Sequence, residues 1–197
     1  MFRWGASAYA LLSILVCAGS WAWFERLPLS HPEPWLGLRE VVGHLLSLLL
    51  GTAFAAALVI TSRLAVLRFG WARRLHLEFR PIARQLDTTS IVLLAALSAV
   101  GEELFFRGLL QPFVGLIPQA VLFGLLHQLR GPSRWVWVTW AGVVGLGLGV
   151  LFQLTGSLLG PVVAHALVNG FNLTYIKHHD PLASRRSLGG LLDRKPS

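Results

Sequence analysis

Apolar residues fall into six runs along the chain, near 6–24, 41–61, 89–110, 114–129, 135–154 and 158–176. Most of them reach the roughly 17–25 residues that a membrane-spanning helix needs. The pattern predicts an all-α fold, a polytopic membrane helix bundle of about six transmembrane helices. Residues 1–180 read as a single integral membrane domain with its polar motifs in 89–176. The fourth run is short, because Pro112 and Pro118 interrupt its approach. Pro118 suits a first helical turn, leaving 118–129 as regular helix. The other reading is a bent, partly re-entrant element, which survives at membrane depth only where it lines protein or a wet cavity. At the N-terminus, Met1-Phe2-Arg3 leads into an apolar stretch ending at Phe24. Ala18-Gly19-Ser20 is a poor cleavage site and Val16 before Cys17 a poor lipobox, so an uncleaved first helix is expected over a signal peptide.

Between the second and third runs, residues 62–88 mix arginines with Trp71, Leu75, Leu77 and Phe79. The segment reads either as an interfacial helix on an anionic leaflet or as a solvated basic loop. The tail at 181–197 is polar and basic and is expected to be flexible.

Composition strengthens the membrane reading. The chain is 54% hydrophobic and only 13% charged, and its mean hydropathy is +0.62, too apolar for a soluble domain of this size. Seventeen Lys and Arg against nine Asp and Glu give +8. In a membrane protein such an excess reports cytoplasmic loops and anionic lipid, not nucleic acid. With a cytoplasmic N-terminus, fourteen of the seventeen fall in inside segments and only Arg26 and Arg39 outside, while Arg107 is intramembrane. That bias predicts six spans with both termini cytoplasmic. The single Cys17 allows no internal disulfide framework. Gly145 and Gly149 form a small-xxx-small pair suited to close helix packing.

The chemistry sits in three of these runs. The third holds Gly101-Glu102-Glu103-Leu104-Phe105-Phe106-Arg107-Gly108. Neighbours on a helix point about 100° apart, so the two carboxylates serve different purposes. Glu103 and Arg107, four apart, share a face and suit an ion pair. Glu102 is then the freer carboxylate, placed to bind water as a general base. A helix-locking salt bridge with a spare glutamate is the structural alternative, which leaves a carboxylate deep in an apolar run unexplained. The fourth run carries Phe123 and His127, one turn apart, so that the phenyl ring can pack on the imidazole. Alone, such a histidine reads as a hydrogen-bonded structural residue. The sixth run carries His165, Asn169 and Asn172 on one face. Asn172 is expected to glue helices together, and His165 and Asn169 to act with the other polar groups. At about 1.5 Å per residue, Glu102, His127, His165 and Asn169 can all meet near mid-bilayer.

In order, these residues resemble the three motifs of the CPBP family, the CAAX proteases and bacteriocin-processing (Abi-like) enzymes. That signature is two Glu, three residues, Arg; then Phe, three residues, His; then His, three residues, Asn or a similar polar group. Here it is Glu102-Glu103 with Arg107, Phe123 with His127, and His165 with Asn169. The resemblance implies an intramembrane endopeptidase of the type II CAAX prenyl protease kind. It implies that Glu102 and His127 activate a water, that His165 and Asn169 stabilise the oxyanion, and that Glu103 and Arg107 hold the third helix. It further implies a glutamate-dependent reaction with no cofactor, the alternative being zinc bound by Glu102, His127 and His165. The six spans suggest a small bacterial member of the cytoplasmic (inner) membrane, such as a myxosortase-like one, whose partners are membrane lipids and a protein or peptide cut near its C-terminus or membrane segment. A non-catalytic scaffold or small transporter built on the same polar core is the competing reading.

Overall fold

The computed structural model describes residues 2–183, and the predicted basic tail lies outside the described residues from 184 onward. The chain is a helix bundle, and the described residues form no β-strand, only an isolated bridge between Ser30 and Ser157. α1 (Phe2–Phe24) is followed by a loop to α2 (Glu40–Arg68), then α3 (Gly70–Ala83) and α4 (Thr88–Glu103). α4 passes without a break into a π-helical segment (Leu104–Leu110) and α5 (Gln111–Val114). α6 (Leu116–Leu126), α7 (Arg134–Thr155) and α8 (Leu159–His178) complete the fold.

Local chemistry accounts for several of these boundaries. Asp87 caps α4, its carboxylate accepting the Ser90 N–H at 2.7 Å, and the Ser90 hydroxyl together with that N–H holds the Asp87 carboxyl below the usual carboxylate range. The third apolar segment does not run as a plain α-helix. Gln111 N–H bonds to the Phe106 carbonyl, five residues back, and Pro112 lacks the N–H that an α-turn would aim at Gly108. Gly115, at φ +89°, takes a conformation cheap only for glycine and turns the chain from α5 into α6. The fourth apolar segment is accordingly an eleven-residue helix with Pro118 in its first turn.

Four helical stretches are long and apolar enough to cross a membrane: Ser7–Phe24, Glu40–Arg68, Thr88–Val114 and Arg134–Thr155. α8, carrying His165, Asn169 and Asn172, is not among them, and α6 is shorter. Large apolar side chains such as Ile14, Leu15, Trp23, Leu45, Leu49 and Ile60 face outward. A water-soluble protein would not present that surface; a bilayer covers it. The protein is an integral membrane helix bundle.

Small residues set the tightest contacts. α2 meets α8 where a Cβ on Gly160 would come within 2.1 Å of the Ser47 carbonyl oxygen and one on Gly51 within 2.4 Å of the Gly160 carbonyl oxygen. There Ser47 Oγ accepts the Gly160 N–H at 3.0 Å and donates to the Ser157 carbonyl at 3.0 Å. α6 meets α7 at Gly124 and Gly142. Gly145 lies against Phe123 and Arg107, and Gly149 against Gln111 and Gln119, so this glycine pair serves close packing.

The connector between α2 and α4 is a helix rather than an open loop. α3 packs on α8, α2 and α7, burying Ala72, His76 and Ala83. His76 donates from Nε2 to the His179 carbonyl at 3.0 Å, and Arg80 pairs with Asp180 at 3.2 Å. Phe79 meets Trp137 edge-on, with ring centroids 4.8 Å apart.

Candidate active site

Glu103 and Arg107 are both fully buried, and Arg107 Nη1 donates to Glu103 Oε1 at 2.8 Å. The guanidinium also donates from Nη2 to the Gly145 carbonyl at 2.9 Å and lies 4.3 Å from the Phe123 ring centroid. Arg107 thus ties the π-helical segment to α6 and α7. Glu103 has a second partner that spacing along one helix cannot reveal: His165 Nδ1, across the bundle on α8, lies 2.7 Å from the same Oε1. A carboxylate only accepts, so Nδ1 carries the proton. The Nε2 of His165 is then turned toward Glu102, 3.9 Å from its Oε2.

His127 reaches the same oxygen from the other side. It is the residue that ends α6. Its Nδ1 lies 2.7 Å from the carbonyl of Phe123, one turn back, and a carbonyl cannot donate, so Nδ1–H is the donor. That bond satisfies one of the carbonyls left open at a helix C-terminus and directs Nε2 to Glu102 Oε2, 3.4 Å away. Phe123 packs on the imidazole as its spacing predicts, with ring centroids 4.2 Å apart.

Glu102 Oε2 is therefore buried between two imidazole nitrogens and has no hydrogen-bond partner of its own. Its Oε1 accepts a 2.8 Å bond from the hydroxyl of Tyr9 on α1. Asn169 stands one turn along α8 from His165 and donates from Nδ2 to Ser98 Oγ at 3.2 Å. The four proposed catalytic residues, Glu102, His127, His165 and Asn169, all line one cavity of about 330 Å³. Most of its wall is apolar, from α2, α3, α4, α7 and α8, and α3 contributes Trp71, Leu75 and Phe79.

Asn172 departs from its expected role as interhelical glue. It lines the cavity one turn beyond Asn169, and among the described residues its side chain forms no hydrogen bond to another helix. Tyr9 and Ser98 belong to the cluster and were not singled out from the sequence. Ser98 is four residues before Glu102 on the same helical face, a usable signal. Tyr9 had only a weaker one, a hydroxyl inside an apolar run. Gln111 and Gln119, both buried, donate to the Gly149 and Gly145 carbonyls at 3.0 and 3.4 Å.

Among the described residues, no group of three or more His, Cys, Asp and Glu is arranged to hold a metal ion. The zinc alternative would draw on Glu102 Oε2 and the Nε2 atoms of His127 and His165, which lie 3.4 and 3.9 Å from it, while Oε1 of Glu102 accepts from Tyr9.

Comparison with known proteins finds a likeness over the same part of the chain. Residues 84–171 match the family described as type II CAAX prenyl endopeptidase Rce1-like, a stretch that contains every motif residue from Glu102 to Asn169. An uncharacterized protein of Bacillus subtilis (strain 168), YpbD, is 34% identical over 79 residues, which is 40% of this chain and 41% of that relative. The match thus spans less than half of the length of its curated relative. No solved structure matches the chain. The likeness is to the type II CAAX prenyl endopeptidase Rce1-like family, and it covers the motif-bearing core, residues 84–171, of this membrane helix bundle.

Proposed function

We propose that the protein is an intramembrane endopeptidase of a bacterial cytoplasmic membrane, cutting a protein or peptide near its C-terminus or within a membrane segment. The observation that carries this reading is the convergence of His127 Nε2 and His165 Nε2 on the partnerless Glu102 Oε2 at the wall of an apolar cavity. A helix-locking ion pair accounts for Glu103 and Arg107 and leaves a second carboxylate, buried between two imidazoles, without a structural reason, and such a group costs stability unless it has work to do.

Charge balance sets the resting state. Two carboxylates face one guanidinium, so one additional proton, shared over His127 and His165, brings the buried cluster to neutrality. In the proposed reaction Glu102, assisted by His127, takes a proton from a water as its oxygen attacks the scissile carbonyl carbon. His165 and the second N–H of Asn169 donate to the oxyanion. A donor at His165 Nε2 requires the doubly protonated ring, whose charge Glu103 balances. When the C–N bond breaks, the proton taken from water passes to the leaving amine. No metal enters this scheme. By the bias of Arg and Lys, both termini and α3 face the cytoplasm.

The test is cleavage of a quenched fluorogenic peptide, chosen from a library of apolar sequences, by purified protein in lipid nanodiscs. Glu102→Gln should reduce turnover at least 1000-fold at unchanged melting temperature, because it deletes the proton acceptor. Unchanged turnover in that variant defeats the mechanism. Full activity in 1,10-phenanthroline is expected; loss there, restored by added zinc, would establish the metal-dependent alternative.

A further inference from the structure

We infer that Tyr9, on the N-terminal helix and outside the matched segment 84–171, is a positioning residue for Glu102. The inference rests on the reading of Glu102 as the proton acceptor. The terminal torsion of a glutamate is broad and roughly two-fold, so an unanchored carboxylate sweeps both oxygens through a wide arc. In Glu102 one oxygen is anchored: Oε1 accepts the Tyr9 hydroxyl at 2.8 Å. Fixing Oε1 fixes the plane of the carboxylate, and Oε2 is thereby held toward His127 at 3.4 Å and His165 at 3.9 Å.

The hydroxyl is itself set by packing. One to two turns along α1, Leu12, Val16 and Cys17 pack in an apolar cluster with Leu104, Phe152 and Leu158. Ser13 Oγ donates to the Tyr9 carbonyl at 2.9 Å. On the facing helix stands Gly101, where a Cβ would come within 3.2 Å of the Tyr9 carbonyl oxygen and 3.3 Å of its ring. The glycine beside Glu102 thus admits the tyrosine at the point where its hydroxyl reaches the carboxylate. A first helix that touches α4 and the π-helical segment completes a site whose motifs all lie on later helices. Reacting groups need to be held to within about 0.5 Å for full rate, and a misplacement of about 1 Å costs on the order of 100-fold.

Two variants of the full chain test this in nanodiscs. Tyr9→Phe removes only the hydroxyl, and Tyr9→Leu removes hydroxyl and ring. Positioning through the hydroxyl predicts that both lower kcat by about 10- to 100-fold, per folded molecule from the monodisperse peak, with KM within about two-fold of wild type. A packing role predicts that Phe behaves as wild type and only Leu is impaired; that result overturns the inference, as does a loss confined to KM. A second readout needs no substrate. Dicyclohexylcarbodiimide attacks buried carboxyl groups, and modification of Glu102, followed by peptide mass, should rise in Tyr9→Phe once Oε1 is released, with Glu102→Gln as blank. Unchanged labelling in Tyr9→Phe also overturns the inference. If Glu102→Gln still cleaves, the protease mechanism fails on its own, and the labelling result decides the contact independently.

Discussion

Arg107 is the most heavily committed side chain of the cluster, with Glu103 at 2.8 Å, the Gly145 carbonyl at 2.9 Å and the Phe123 face at 4.3 Å. A planar guanidinium serves all three directions at once; an ammonium is a single point charge on a flexible stem. Arg107→Lys should therefore keep the charge and lose the bridge to α7, costing about 1–2 kcal/mol. Arg107→Met leaves the buried Glu103 without its main counter-charge and should cost about 3–5 kcal/mol. Adding Glu103→Gln to Arg107→Met should recover part of that loss, since the uncompensated charge is then gone. Melting temperatures of the three variants in one detergent check the order, and a double variant no more stable than Arg107→Met alone would contradict it. The pairing of Glu103 with Arg107 was legible because spacing on one helix decides it. The claim of His165 on Glu103 was not, since it depends on where α8 stands beside α4.

At the scale of elements, the contact of α2 with α8 decides where His165 and Asn169 are held. Gly160 lies with its Cα against the Ser47 backbone, and a methyl group there would meet the Ser47 carbonyl oxygen at 2.1 Å and its carbon at 2.6 Å. Backbone cannot swing away as a flexible side chain does. Gly160→Ala should force α8 off α2, cost about 1–3 kcal/mol and lower kcat by moving His165 relative to Glu102. Gly170→Ala is the matched control, because its Cβ would meet only Ala95 Cβ at an ordinary 3.7 Å. Equal melting and turnover in the two variants would show that the close approach does not position the site. The sequence announced these elements unevenly. The apolar runs and their small residues predicted a bundle with close packing, but the wide turn at Leu104–Leu110 carries no compositional mark of its own. Nor does α1 show in its residues that it will deliver Tyr9 to Glu102, because an apolar helix states its exposure to lipid and not its neighbours. Asn172 misled for the same reason: its spacing from Asn169 fixes the face it occupies, and only the assembled bundle makes that face a cavity wall.

For the whole molecule, α3 is the part that joins the outside to the site. It walls the cavity with Trp71, Leu75 and Phe79, and a ring path runs from Phe79 to Trp137 at 4.8 Å and from Trp137 to His127 at 5.9 Å. Its anchor is His76, only 3% exposed, which donates to the His179 carbonyl and leaves Nδ1 buried without a partner. Burial pushes the His76 imidazole below its ordinary value of 6.5, outweighing the bond to His179 and nearby Asp180, which raise it, while Arg80 and the His179 ring lower it further. An undocked His76 takes up a proton as the pH falls through about 6.5, and the docked ring does so only at lower pH. Docking of α3 is therefore at full strength above about pH 6.5 and weakens below it. Hydrogen exchange of the α3 amides, corrected for intrinsic rates, should show less protection near pH ~5.5 than near pH ~7.5. In His76→Phe, which keeps the ring against Tyr175 but cannot titrate, that difference should vanish. Protection that grows on acidification, or a pH dependence that survives in His76→Phe, would mean that another group holds α3 in place over the cavity.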